Sequence, residues 1–382
     1  MFSISTIEYW RCNRFFQRCD LYAAAEMSAK RWLNHGLNRG FARFKKTKAR
    51  PDVRRVLLIR RNKLGDMINL LPVIQALKES HPAIEIYLLC NPYNAGPARH
   101  VSYLSGVFDV PEKYVLGRVG SLLHPTYRTI RALNIDLSIA FGGHSTQAAM
   151  MSLACGAKYK VGLASESGTI FDVIYDHGID MPSDVDLRGC EHQVQKCAYI
   201  VRAAGFELAE TLPDVRMDRP GMAEPGVVGL CPDSARAACR YPVESYRRLA
   251  ARLREYPWVS EVRVFPSADT SYAELLQEPS LNVIPPTSFQ QWLKNLSSCE
   301  YAICAEGGSM HMTSALGIPT LALSGRGIRD GWTPWARNAV MLEKHREIAH
   351  ISVDEIIGQL ISFRENGSFK STPHANFCQK YR

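Results

Sequence analysis

The sequence predicts an α/β protein of two parallel-sheet lobes facing a central cleft, with a basic N-terminal arm. Three observations predict it. Strands and helices alternate in two separate stretches, on either side of a segment rich in proline and glycine at 213–225. Each stretch contains a short strand leading through glycine and an ionisable group into a helix start: Ile59 to Pro72, and Cys304 to Pro319. A chain of 382 residues is too long for one ordinary core and suits two. In open parallel sheets, ligands bind beyond the carboxyl ends of the strands, where helix N-termini present unpaired N–H groups. Two such loops in two halves imply lobes closing on a shared cleft.

Taken in order, residues 53–60 read as a strand and 66–80 as a helix stopped by His81-Pro82. Residues 84–90 form a second strand, and Asn91-Pro92 turns into a short helical stretch. A third short strand is expected at 108–110, a helix at 121–133, a strand at 136–141, a Gly142-Gly143-His144 loop and a helix at 146–155. Residues 164–190 lose periodicity, and 191–205 then read as a helix able to cross between lobes. The alternation restarts with strands at 227–231, 261–265, 281–284, 301–304 and 320–323. Helices are expected at 243–256, 272–277, 288–296 and 309–316, with a closing helix at 351–363. The organisation predicted is an arm over 1–50, a first lobe over 51–212, a second over 225–364 and a polar tail over 365–382.

Composition narrows the class. Hydrophobic residues make up 46% and charged residues 22%, as in soluble globular proteins. No run approaches the ~20 apolar residues of a membrane-spanning helix. Arg11, Arg14, Arg18 and Asp20 interrupt any signal-like stretch, so the body is expected in the cytoplasm. Eleven cysteines without a Cys-x-x-Cys pair argue for reduced, mostly buried thiols. The charge is concentrated: residues 1–50 hold 11 Lys and Arg against three acids, while the chain as a whole carries only +9. Tyr9, Trp10, Phe15, Phe16, Tyr22 and Trp32 are interleaved with those cations. That pattern suits an interfacial helix on an anionic membrane surface. Nucleic acid would feel the same charge and a helix packed on the body has the same composition; the membrane is the preferred partner and nucleic acid is not expected.

The candidate chemistry lies in the two glycine turns. Asp66, after Leu64-Gly65 at a helix start, is placed to project a carboxylate into the cleft, or simply to complement the helix dipole. In the second turn Glu306, Gly307, Gly308, Ser309, Met310 and His311 open a helix whose first N–H groups can cradle an anion. Arg60, Arg61 and Lys63 beside Asp66 attract an anionic acceptor or are solvated. Asp184-Val185-Asp186 has a metal-binding spacing but reads as a solvated turn.

Together these segments resemble glycosyltransferase family 9, the ADP-heptose:lipopolysaccharide heptosyltransferases. The resemblance rests on Leu64-Gly65-Asp66 with Pro72, on Glu306 to His311 running into Ala315-Leu316-Gly317-Ile318-Pro319, and on Leu323-Ser324-Gly325 before Trp332-Thr333-Pro334. It covers about residues 53–345. It implies a GT-B type fold of two Rossmann-like lobes, the first for the acceptor and the second for the nucleotide sugar. By that resemblance Asp66 is the general base, and residues 306–311 bind the donor diphosphate. Where the family carries a phosphate-contacting Lys, this chain has Cys239, with Tyr241 in place of a Trp; Arg236 or Arg240 then supplies the cation, and Arg60 and Lys63 meet the acceptor. The family's Asp-Thr-Gly is Glu306-Gly307-Gly308 here.

The function expected is an inverting, metal-independent transfer of a heptose-like sugar from a nucleotide diphosphate, ADP-heptose first, to a lipopolysaccharide-core or other lipid-linked acceptor. No cofactor is expected beyond the donor substrate. The site would face the inner leaflet of the inner membrane, with the arm as anchor. Two other readings stay open: a membrane-docked nucleotide-sugar-binding scaffold whose catalysis has decayed, and a sugar-nucleotide epimerase.

Overall fold

The computed structural model describes residues 48–61, 63–111, 124–141, 146–164, 173–180, 192–234, 239–266, 281–285, 288–325, 330–344 and 348–369. The first lobe runs β1 (Arg55–Ile59), α1 (Leu64–Ile68), α2 (Leu71–Ser80), β2 (Glu85–Cys90), α3 (Pro92–Ala98), β3 (Gly106–Asp109), α4 (Pro125–Ala132), β4 (Leu137–Ala140), α5 (Thr146–Cys155), β5 (Tyr159–Leu163), β6 (His177–Ile179) and α6 (Gln193–Ala203). The second runs β7 (Val227–Cys231), α7 (Val243–Leu253), β8 (Glu261–Val264), β9 (Asn282–Val283), α8 (Phe289–Ser297), β10 (Tyr301–Ala305), α9 (Gly308–Ala315), β11 (Thr320–Ser324), β12 (Ala339–Glu343) and α10 (Val353–Asn366).

Both sheets are six-stranded and parallel, ordered β3-β2-β1-β4-β5-β6 and β12-β11-β10-β7-β8-β9. The two lobes therefore share one doubly wound order, with its reversal between the first and fourth strands. In the first lobe that switch point lies between β1 and β4, and in the second between β7 and β10. Crevices open beyond the carboxyl ends of strands at such points.

Alternation along each central strand sorts side chains into layers. Val56 and Leu58 of β1 join a core reaching into both lobes, while Leu57 and Ile59 face α4 and α5 on the other side. On β10, Ala302 and Cys304 enter the shared core, and Tyr301 and Ile303 pack outward with Leu360 of α10. Burial on both faces explains the near-continuous apolar strands. The seven described cysteines are buried and free. Among the described residues no helix is long and apolar enough to cross a membrane.

Three differences from the sequence reading have physical causes. The helix expected over 66–80 starts earlier, at Leu64, and breaks at Asn69-Leu70, because Pro72 lacks an N–H and its ring would crowd the carbonyl of Ile68. Strands β5, β6 and β12 were not foreseen; β6 has three residues, His177-Gly178-Ile179, two of them exposed, and β12 carries the short apolar run Ala339-Val340-Met341-Leu342, which periodicity alone does not assign to a strand. The Pro213 to Pro225 stretch is no loose linker at its start: Val215 N–H donates to the Trp335 carbonyl and Met217 N–H to the Ala315 carbonyl. The helix expected over 272–277 lies outside the described residues.

Candidate active site

In the first lobe the chain leaves β1 at Arg60 and enters α1 through Lys63. Asp66, the third residue of α1, accepts the Lys63 N–H through Oδ2 at 3.2 Å, so the carboxylate helps to close the helix start. Its Oδ1 accepts from Arg60 Nη2 at 3.0 Å. Arg60 Nη1 donates to the carbonyl of Phe141, directly after β4, at 2.6 Å. Both members of the pair are nearly enclosed, with side chains 5% and 9% exposed. Arg60, expected to meet an acceptor, thus turns inward and spans the β1/β4 switch point. Lys63 is exposed. Arg61 Nη1 reaches Gln147 of α5, and its carbonyl accepts from Asn91 Nδ2 at 2.7 Å.

The second lobe is tied in the same manner. The Glu306 carbonyl accepts from Ser234 Oγ at 2.7 Å, which joins the loop after β10 to the loop after β7. Its carboxylate Oε2 accepts from Cys239 Sγ at 3.1 Å and from Ser324 Oγ at 2.6 Å. Burial first, and then the bond to Glu306, push the Cys239 thiol up to about 12, so it stays a protonated donor. Glu306 therefore serves as a brace at the turn. Arg240 is exposed, with Nε fixed on the Ser234 carbonyl at 2.9 Å. Arg236 lies outside the described residues, as do residues 1–47, Gly142-Gly143-His144, Asp184-Val185-Asp186 and residues 370–382.

Gly307, Gly308 and Ser309 are half-buried at the start of α9, and Met310 and His311 are buried. The first N–H groups of a helix have no intrahelical acceptor and carry its positive dipole end. Gly307 is extended at φ 170°, a conformation open to any residue. His311 does not act as a cation here: burial, with His192 nearby, pulls its imidazole down to about 3, so the ring is neutral at pH 7.

The two glycine turns meet directly. A Cβ on Gly65 would lie 2.7 Å from His311 Cδ2, and one on Gly308 would lie 3.1 Å from Leu64 Cδ2. The missing side chains thus let α1 and α9 touch, and the base candidate and the candidate donor-binding turn share one junction. A second contact between the lobes runs where Phe289 of α8 covers Gly96 of α3 and His100 meets Gln290 at 3.2 Å.

The sequence reading missed His192, which joins the lobes at the start of α6. Its Nδ1 accepts from Val194 N–H at 3.1 Å, so the proton resides on Nε2 and is donated to the Thr333 carbonyl at 2.9 Å. The ring lies 4.8 Å from that of Trp335, whose Nε1–H donates to the Pro213 carbonyl at 2.9 Å. The signal available was the Trp332-Thr333-Pro334 segment, but its partner lies far away in sequence.

Solved structures with this architecture include an Escherichia coli heptosyltransferase, WaaC, with ADP: 16% identity, TM-score 0.65, covering 81% of this chain and 99% of that one. Escherichia coli ADP-heptose lipopolysaccharide heptosyltransferase II matches with TM-score 0.66 at 16% identity, over 82% and 99%. A family 9 glycosyltransferase from Veillonella parvula matches with TM-score 0.65 at 15% identity, over 82% and 97%. No curated protein matches the sequence. These likenesses establish the GT-B fold. The model for glycosyltransferase family 9 (heptosyltransferase) matches residues 124–355, more than half of the chain. With both lobes and the turns at their switch points in place, the chain belongs to glycosyltransferase family 9, and the protein is a glycosyltransferase.

Proposed function

We propose that the protein is an inverting heptosyltransferase that moves heptose from ADP-heptose to a lipopolysaccharide-core or other lipid-linked acceptor. One observation carries the reading: the contact of α1 with α9 brings a buried carboxylate and a helix N-terminus to the same junction between the lobes. In an inverting displacement the acceptor hydroxyl attacks the anomeric carbon. The new C–O bond forms as the bond to the diphosphate breaks; the electron pair leaves on ADP and the hydroxyl proton passes to Asp66. Charge developing on the diphosphate is met by the N–H groups of Gly308, Ser309 and Met310 and by Arg240, whose guanidinium is anchored at Ser234. Lys63, exposed beside Asp66, is the acceptor-side cation. Arg236 is a second donor-side cation, assigned from the sequence alone. His311 supports the turn as a neutral ring.

The donor assignment draws on the Escherichia coli heptosyltransferases, one of them solved with ADP. The basic aromatic arm supports an acceptor at an anionic membrane surface and, with it, a position for the protein on the inner face of the inner membrane. Asp66→Asn tests the base. It is expected to lower transfer at least about 100-fold, within the range of general-base contributions, while calorimetric ADP affinity stays unchanged. Full transfer by the variant would reject the role. ADP-heptose binding by the wild type without turnover on any acceptor would favour the decayed scaffold. The bond from Cys239 to Glu306, where the family carries a Lys, makes that the second reading.

A further inference from the structure

We propose that Arg60 is the positioning residue for Asp66, fixing its carboxylate to the end of β4, and that it does not bind the acceptor. This rests on the proposed role of Asp66. The guanidinium uses two separate nitrogens, Nη2 to Asp66 Oδ1 at 3.0 Å and Nη1 to the Phe141 carbonyl at 2.6 Å. Those partners stand on either side of the switch point, Asp66 in the helix that follows β1 and Phe141 directly after β4, and the Phe141 N–H donates to the Ile59 carbonyl of β1 at 3.0 Å. A planar fork held at both ends leaves Asp66 little rotational freedom, and the Lys63 N–H restrains the other oxygen. Each carboxylate oxygen has two acceptor sites. One bond to each therefore leaves capacity to take a proton.

Burial argues that geometry is what the pair contributes. Enclosing two charges costs desolvation that their attraction often does no more than offset, so a buried ion pair is weak evidence of stabilisation. The guanidinium is not even fully used, for Nε has no hydrogen-bond partner among the described residues. A side chain serving an incoming anion would be open to solvent, as the exposed Lys63 is; Arg60 is 4% exposed.

The experiment compares Arg60→Gln, Arg60→Lys and wild type for transfer from ADP-heptose to heptose-deficient lipopolysaccharide, with calorimetric ADP affinity and a urea double-mutant cycle against Asp66→Asn. A base misplaced by about an ångström loses on the order of 100-fold. That fall is expected in kcat for Arg60→Gln, with KM for the acceptor within about twofold, because no ground-state contact is removed. Lys restores the charge and the fold but reaches one partner at a time, so kcat is expected to recover only partly. In the cycle, Arg60→Gln and Asp66→Asn together should shift the urea midpoint by less than the sum of the two single shifts. A rise in acceptor KM with kcat retained would restore acceptor binding and overturn the proposal. Additive midpoints would overturn it as well. If the wild type transfers nothing, the functional reading falls, while the cycle still decides whether Arg60 holds Asp66. Should Arg60→Gln not fold, the Lys variant supplies both comparisons.

Discussion

His311 shows how burial decides what a side chain can do. In the folded protein its imidazole takes a proton only near pH 3, whereas an unfolded chain takes one near the ordinary 6.5. Above 6.5 the ring is neutral in both states and contributes no pH dependence. Below 6.5 the unfolded state binds the extra proton, so stability falls as pH falls, by about 1.4 kcal/mol per pH unit down to about pH 3. His311→Gln should remove that slope: as pH drops from neutral to mildly acidic, the urea midpoint of the wild type should fall relative to that of the variant. Parallel profiles would show that the ring protonates normally in the fold. The same residue marks how far the site was legible in sequence. Asp66 and the Glu306 to His311 turn were found because strand, glycine and acid follow one another locally. The neutrality of His311, the inward turn of Arg60 and the Cys239 to Glu306 bond were not, because they arise from partners brought together by the fold. Cys239 and Glu306 are 67 positions apart, and sequence spacing holds no record of that contact.

At the scale of elements, the contact on which the proposed function rests is between the starts of α1 and α9, and Gly65 lies where they approach. An alanine there would place Cβ 2.7 Å from His311 Cδ2 and 3.1 Å from Nε2, and the enclosed ring has no solvent to swing into. Alanine favours helix over glycine by about 1 kcal/mol, but overpacking costs about 1–3 kcal/mol. The net cost is about 0–2 kcal/mol in stability, and α1 must back away from α9. Gly65→Ala is therefore expected to lower transfer by about tenfold or more, with no more than that modest fall in stability by urea midpoint. Gly358→Ala on α10, where a Cβ meets nothing within 4 Å, should stabilise by about 0.5–1 kcal/mol and leave transfer unchanged. If Gly65→Ala behaved like Gly358→Ala, the contact would not constrain the reaction. The central strands were legible from their apolar runs because both faces are buried. The edge strand β6 was not, since His177-Gly178-Ile179 has no such run, and β12 was not because the four apolar residues from Ala339 to Leu342 are too few for periodicity to separate a strand from other buried chain. The split of α1 from α2 was legible in principle from Pro72, whose effect reaches back to Ile68.

At the scale of the molecule, the segment arriving from the arm is fixed to the first lobe away from the cleft. The Lys48 amine lies 3.6 Å from the Asp176 carboxylate, and the Arg50 guanidinium stacks 4.8 Å from the Phe206 ring centroid. The backbone N–H groups of Arg54 and Arg55 then donate to Asp136, just before β4. These contacts lie at the amino ends of β1 and β4, whereas Asp66 and the Phe141 carbonyl mark the carboxyl ends. An arm bound to a membrane would thus pull on the amino ends of the strands, opposite the end that carries the proposed catalytic junction. Residues 1–47 hold nine Lys and Arg against three acids, and near an anionic surface each cation is worth about 1 kcal/mol, screened by salt. The full chain should sediment with phosphatidylglycerol-containing vesicles at low salt, dissociate at high salt and ignore neutral vesicles. A chain beginning at Lys48 keeps the anchoring contacts and is expected to retain its urea midpoint and ADP affinity while losing the vesicles. Equal sedimentation of that shortened chain would move the membrane contact onto the body and leave the arm without the role its charge suggests.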